Sequence, residues 1–154
     1  RFKSFIEIGA IPKYSLEHEL EFTPVDLCAD AVISILGYKS CCNVFHIYDT
    51  NLLPIKELLN ILESIGIEIT PISNRLMSDV ITGILEDNSR KDILSGIIYD
   101  LDENKNLIYT SDILLNADFT KKYLEKIGFK WKKINKSYII KYMNYLRQTG
   151  FINF

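Results

Sequence analysis

Apolar positions recur along this chain with two periods, and those periods predict its elements. RFKSFIEIG, at the start, reads as helix. Between Thr23 and Gly37, residues Cys28, Ala31, Val32 and Ile35 fall on one helical face. Thr23 is the expected N-cap, and Pro24 suits the first helical position. Asp26, three residues after the cap, reaches back to a free N–H and faces the helix dipole. Gly37 is the expected left-handed stop. NVFHIY (Asn43–Tyr48) alternates and is β-rich, which predicts a buried strand. Ile55, Leu58, Leu59, Leu62 and Ile65 predict a helix from Pro54 to Ile65, ended by Gly66. IEIT (Ile67–Thr70) follows as a short strand cut off by Pro71. Glu21 to Thr70 thus reads as the tail of an α/β unit.

Beyond Pro71 the pattern is mainly helical. Ser73 caps a helix with the stripe Leu76, Met77, Val80, Ile81, Ile84 and Leu85. Ser89 opens a second capping pattern, with Ile93, Leu94, Ile97, Ile98 and Leu101 as the buried face. DENKN (Asp102–Asn106) is a polar turn, and Ile108–Leu115 holds a short strand or loop. Phe119, Tyr123, Leu124 and Ile127 mark a helix ended by Gly128. The last helix, Lys136 to Gln148, buries Ile139, Ile140, Met143 and Leu146. Gly128-Phe129 and Gly150-Phe151 each pair a C′ glycine with a residue that folds back on its helix.

Composition narrows the class. The chain's 154 residues suit one domain or one split into two lobes, and 47% apolar content supports a real core. A net charge of −2 argues against nucleic acid as a partner, and no apolar run is long enough for a membrane span. Three cysteines, Cys28, Cys41 and Cys42, give no disulfide framework and fit a reducing cytoplasm. The first residue is Arg inside a helical pattern, so the chain is expected to begin within a larger polypeptide.

Catalytic motifs are missing. The seven glycines form no G-x-G or G-x-x-G, so no dinucleotide cradle is encoded, and no Tyr has Lys four residues on. No catalytic, cofactor-binding or metal residue is therefore assigned. Cys41, Cys42 and His46 read as packing at a strand entry rather than as a metal set, since adjacent cysteines ligate one tetrahedral ion poorly. Asp100 and Asp102 read as a solvated turn. Lys126, Lys130, Lys132, Lys133 and Lys136 crowd around Phe129 and Trp131. That cluster is either an ordinary solvated loop or a docking patch for an acidic partner, with Trp131 as anchor.

An ordered series of residues adds a resemblance. Phe22, Pro24, Val25 and Asp26, then Ala29, Phe45, His46 and Gly66, are followed by T-x-x-Y-L-x-x-I-G-F (Thr120–Phe129) and Y-M-N-Y-L-x-x-x-G-F (Tyr142–Phe151). The series resembles the back portion of thioester reductase domains, extended short-chain dehydrogenase/reductases that terminate nonribosomal peptide synthetases. The resemblance covers nearly the whole chain, weakly at Leu76–Leu115. It implies the α/β tail of an extended Rossmann-type reductase (residues 1–72) followed by a mainly helical substrate-binding lobe (73–154). It also implies a separate upstream Rossmann half that binds NADPH or NADH, with no cofactor held by this chain. The implied partner is a peptidyl or acyl carrier protein bearing a phosphopantetheine-tethered thioester, released as aldehyde or alcohol. Phe22, Thr23, Pro24 and Val25 would edge the substrate cleft, and Lys130, Trp131, Lys132 and Lys133 would face the carrier protein. The rival readings are a non-enzymatic carrier-docking module and the same lobe of another extended dehydrogenase, such as a fatty acyl reductase. If the upstream half is absent, the Cys28–Ala31–Val32–Ile35 face and the Asn43–Tyr48 strand are expected to be bare and to drive association.

Overall fold

Helical periodicity becomes α-helix at six places in a computed structural model that describes residues 1–39, 44–108 and 116–152. Two compact units emerge, each assembled from separated segments. Arg1–His18, Pro54–Thr110 and Asn135–Phe154 form one, while Glu19–Leu53 and Ser111–Ile134 form the other. The units interleave along the sequence.

In the first unit, α1 (Phe2–Ile8) ends at Gly9, whose φ of 71° is the left-handed stop that only glycine adopts cheaply. The chain then forms β1 (Ala10–Pro12), a strand the periodicity did not suggest. β1 pairs in parallel with β4 (Thr70–Ile72), Ile11 lying opposite Pro71. The expected Ile67–Thr70 strand is therefore shifted to include Pro71. In a two-stranded ladder both strands are edges, where a missing N–H is tolerated. α3 (Ile55–Glu63) and α4 (Asn74–Glu86) fall where their stripes put them, and Ser73 Oγ accepts the Leu76 N–H as cap at 3.3 Å. Leu58, Leu62, Met77, Ile81 and Ile84 form the buried faces of these helices. The helix expected after Ser89 is instead two 3₁₀ turns, Lys91–Leu94 and Ile98–Asp100. Ser89 turns back, donating both its N–H and its hydroxyl to Asp87 Oδ1. Gly96 packs so closely that an added Cβ would lie 2.9 Å from Ser4 Oγ. Asp102 anchors its turn as expected, accepting the Asn104 and Asn106 N–H groups at 2.8 Å each. These bonds from Asn106 and Asn104 hold its carboxyl below the usual range. Residues 109–115, most of the expected Ile108–Leu115 segment, lie outside the described residues.

The second unit contains β2 (Glu19–Leu20), α2 (Val25–Leu36) and α5 (Asp118–Lys126); β2 pairs with β3 (Leu53–Pro54). α2 corrects three expectations. It starts after Pro24, with no side-chain cap bond, so Thr23 and Asp26 form no capping box. Gly37 sits at φ −71°, right-handed. The buried face is Leu27, Ala31 and Ile35, spaced four apart, with Val32 turned outward. That face is not bare: Ala31 and Ile35 pack on Leu124 of α5, with Phe45, Ile47, Tyr123, Ile127, Phe129 and Trp131 around them. The exposed apolar stripe of α2 is instead Val25, Ala29, Ile33 and Leu36. The strand expected at Asn43–Tyr48 does not form over its described residues, 44–48. Its alternation survives, with Phe45 and Ile47 turned to the core and Val44 and His46 exposed. No strand lies beside it among the described residues, so it is held by the His46 N–H donating to Thr120 Oγ1 at 3.0 Å.

The last helix, α6 (Lys136–Gln148), returns to the first unit and matches its expected bounds. Asn135 Oδ1 caps it by accepting the Tyr138 N–H at 2.9 Å. Both Gly-Phe closures form as expected: Gly128 and Gly150 have φ of 86° and 70°, and the Phe129 and Phe151 N–H groups donate to the Leu124 and Leu146 carbonyls.

Candidate functional site

All eight residues singled out from the sequence lie in the second unit. Phe22 and Thr23 are half-buried, Pro24 is buried, and Val25 is 84% exposed. Thr23 is the organising residue of this stretch, for a reason its local sequence does not contain. Its hydroxyl donates to Glu21 Oε1 at 2.6 Å and accepts the Asp49 N–H at 2.9 Å. The hydroxyl is thereby committed to a distant segment and cannot cap α2.

Asp49 is fully buried. Its Oδ1 accepts the backbone N–H and the side-chain Nδ2 of Asn51, both at 2.8 Å, while Oδ2 has no hydrogen-bond partner. Burial pushes the carboxyl above the usual range, the Asn51 bonds pull it back, and the nearby Glu21 charge adds to the rise.

Asn51 leads to a cavity of about 480 Å³ lined by Lys121, Leu124, Glu125, Phe129, Lys130 and Trp131 as well. α5 positions three of these because Lys121, Leu124 and Glu125 stand three and four residues apart, on one helical face. The Gly128 turn then brings Phe129 back, and Trp131 meets it edge-on, ring centroids 5.2 Å apart. Of the lysine cluster, Lys130 lines the cavity beside Trp131, whereas Lys132 and Lys133 are exposed and contribute nothing to its lining. A network of named bonds thus runs from Glu21 through Thr23 and Asp49 to Asn51 at the cavity edge. Sequence reasoning missed Asp49, Asn51, Lys121 and Glu125. The helical spacing of Lys121, Leu124 and Glu125 could have flagged part of this set.

Two further cavities lie in the first unit. One is lined by Leu16, Lys56, Leu59, Asn60, Glu63 and Glu68 among others, the second by Tyr14, Met77, Ser78 and Leu107 among others. None of these three cavities is lined by glycine, so none offers the close backbone approach that a dinucleotide diphosphate needs. Among the described residues no group of three His, Cys, Asp or Glu side chains could hold a metal ion, and no helix is long and apolar enough to cross a membrane. Cys41 and Cys42 lie outside the described residues, and His46 is exposed.

No family model and no curated protein matches this sequence. Solved structures do match its fold. A thiolation-reductase di-domain from an archaeal non-ribosomal peptide synthetase superimposes with a TM-score of 0.77 at 16% identity, covering 99% of this chain and 30% of that one. The terminal R domain of the myxalamid PKS-NRPS pathway gives 0.74 at 18%, covering 99% and 38%. The reductase domain of the aureusimine biosynthetic cluster gives 0.66 at 18%, covering 96% and 36%. Nearly the whole of this chain therefore shares the fold of a part of these reductase domains, amounting to about a third of the length of each structure.

Proposed function

We propose that this chain is the C-terminal, substrate-binding portion of an NAD(P)H-dependent thioester reductase. The complete enzyme would release a peptidyl or acyl group from a carrier protein as an aldehyde or alcohol, in the cytoplasm. The observation that carries the reading is the fold match over 96–99% of the chain to three structures containing reductase domains, two of them from NRPS or PKS-NRPS systems. The ordered motif series from Phe22 to Phe151 supports the same reading.

In this proposal residues 1–72 complete a Rossmann-type domain and 73–154 form the substrate lobe. Hydride delivery then belongs to residues outside this chain, in keeping with its lack of a glycine cradle. The chain's own contribution is orientation and water exclusion around the thioester. Phe22–Val25 would edge the cleft, held at Thr23 by the Asp49 N–H. The exposed stripe of Val25, Ala29, Ile33 and Leu36 would pack against the cofactor-binding half.

The test joins this chain to its cofactor-binding half, supplies NADPH and a carrier-bound acyl thioester, and identifies the released product. Aldehyde or alcohol is expected. Release of the free acid alone would mean hydrolysis and overturn the reading.

A further inference from the structure

We infer that the cavity beside Trp131 is a docking site for an acidic amphipathic helix on a partner protein, which seats one large apolar side chain between Leu124, Phe129 and Trp131. The inference deepens the carrier-protein part of the proposed function and rests on that reading only for the partner's identity.

Charge makes the first argument. From Asn116 to Ile134 the chain carries six lysines against Asp118 and Glu125, although its net charge is −2. Two of these lysines, Lys121 and Lys130, line the cavity together with the one carboxylate Glu125, and the other four lie along the same stretch of chain. A partner rich in carboxylates would be steered there and held in register.

Shape makes the second. The recess is an open concave one of about 480 Å³, wide enough to take a side chain from a partner's surface. Its apolar lining is Leu124, which is buried, and the edge-on pair Phe129 and Trp131. Aromatic side chains with a charged surround are the usual anchors of protein interfaces. A flat lipid surface could meet the lysines but would not fill the recess. A helix fits because anchor and carboxylates one turn either side lie on a single face. Asn51, fixed by Asp49 Oδ1, sets the rim and can accept a hydrogen bond from the bound segment.

Trp131 is the only tryptophan in the chain, so its emission reports on this cavity. Three synthetic helical peptides are titrated against the whole chain: a Glu-rich peptide with a central Leu, the same with Ala in place of Leu, and a Lys-for-Glu version. Saturable change is expected with the first, and at least tenfold weaker binding with the other two. Lys130→Glu and Lys121→Glu should each weaken the first peptide about tenfold, and added salt should weaken it further. Circular dichroism checks that both variants fold. Equal binding of the charge-reversed peptide would overturn the inference. So would indifference to both lysine variants, or a response to phosphatidylserine vesicles but not to the peptide. The titration needs neither cofactor nor thioester, so its failure is separate from any failure of reductive release.

Discussion

Replacing Thr23 by Val tests the hydrogen-bond network at its hub. Valine keeps the β-branched shape and removes only the hydroxyl. Two bonds disappear. The one to Glu21 Oε1 is exposed and contributes little, but the loss of the other strands the N–H of fully buried Asp49. Leaving a buried donor unsatisfied costs about 1–3 kcal/mol. With a urea slope of about 2 kcal/mol per molar, a 2 kcal/mol loss lowers the midpoint by about 1 M. Helix content should not change, because α2 begins without a side-chain cap and its Pro24 carbonyl already accepts the Cys28 N–H at 2.9 Å. Thr23→Ser restores a hydroxyl and should recover most of the loss. Asp26→Ala should cost no more than the dipole effect, about 0.3–1 kcal/mol. Urea melts followed by circular dichroism and by Trp131 emission measure all three. If Thr23→Val overlays the parent, the network account is wrong; if Asp26→Ala costs as much as Thr23→Val, the capping box is restored.

Three further outcomes are expected. Asp49 has a native pKa raised by burial above its unfolded value, so the folded state binds more protons and loses stability as pH rises through that window. Asp49→Asn removes this titration, and its urea midpoint relative to the parent should improve between about pH 4 and about pH 7; a constant difference would refute the shift. Leu124→Ala, which empties the centre of the second unit's core, should cost about 2–5 kcal/mol in urea melts. A change below about 1 kcal/mol would mean that α2 and α5 do not share a core. Ile33→Glu with Leu36→Glu should reduce any self-association seen by light scattering across a concentration series, since the stripe of α2 is an exposed apolar surface. Unchanged association would place the sticky surface elsewhere.

The parts legible in the sequence are those decided within a turn or two of chain. α6 follows its apolar stripe, and the Gly-Phe closures follow from the left-handed glycine. Thr23 shows where that logic stops. Its capping signature is sound locally, but a bond to Asp49, 26 residues away, claims the hydroxyl. The Asn43–Tyr48 alternation correctly sorted Phe45 and Ile47 from Val44 and His46, yet a ladder requires a neighbour, and none pairs with it among the described residues. Ser89 fails for the opposite reason, because Asp87, two residues back, offers a closer acceptor. The cavity was half legible. Lys130 and Trp131 stood out as charge around an aromatic, whereas Asn51 and Lys121 join them only through tertiary packing.

Isotope transfer tests the central claim most directly. The complete domain is given NADPH carrying deuterium at the transferred position, together with a carrier-bound acyl thioester, and the released product is analysed by mass spectrometry. A single deuterium on the former thioester carbon of an aldehyde, or two in an alcohol, is the expected result. Product without deuterium, or unconsumed NADPH beside free acid, would contradict reductive release and leave the chain as a binding module on a reductase-like fold.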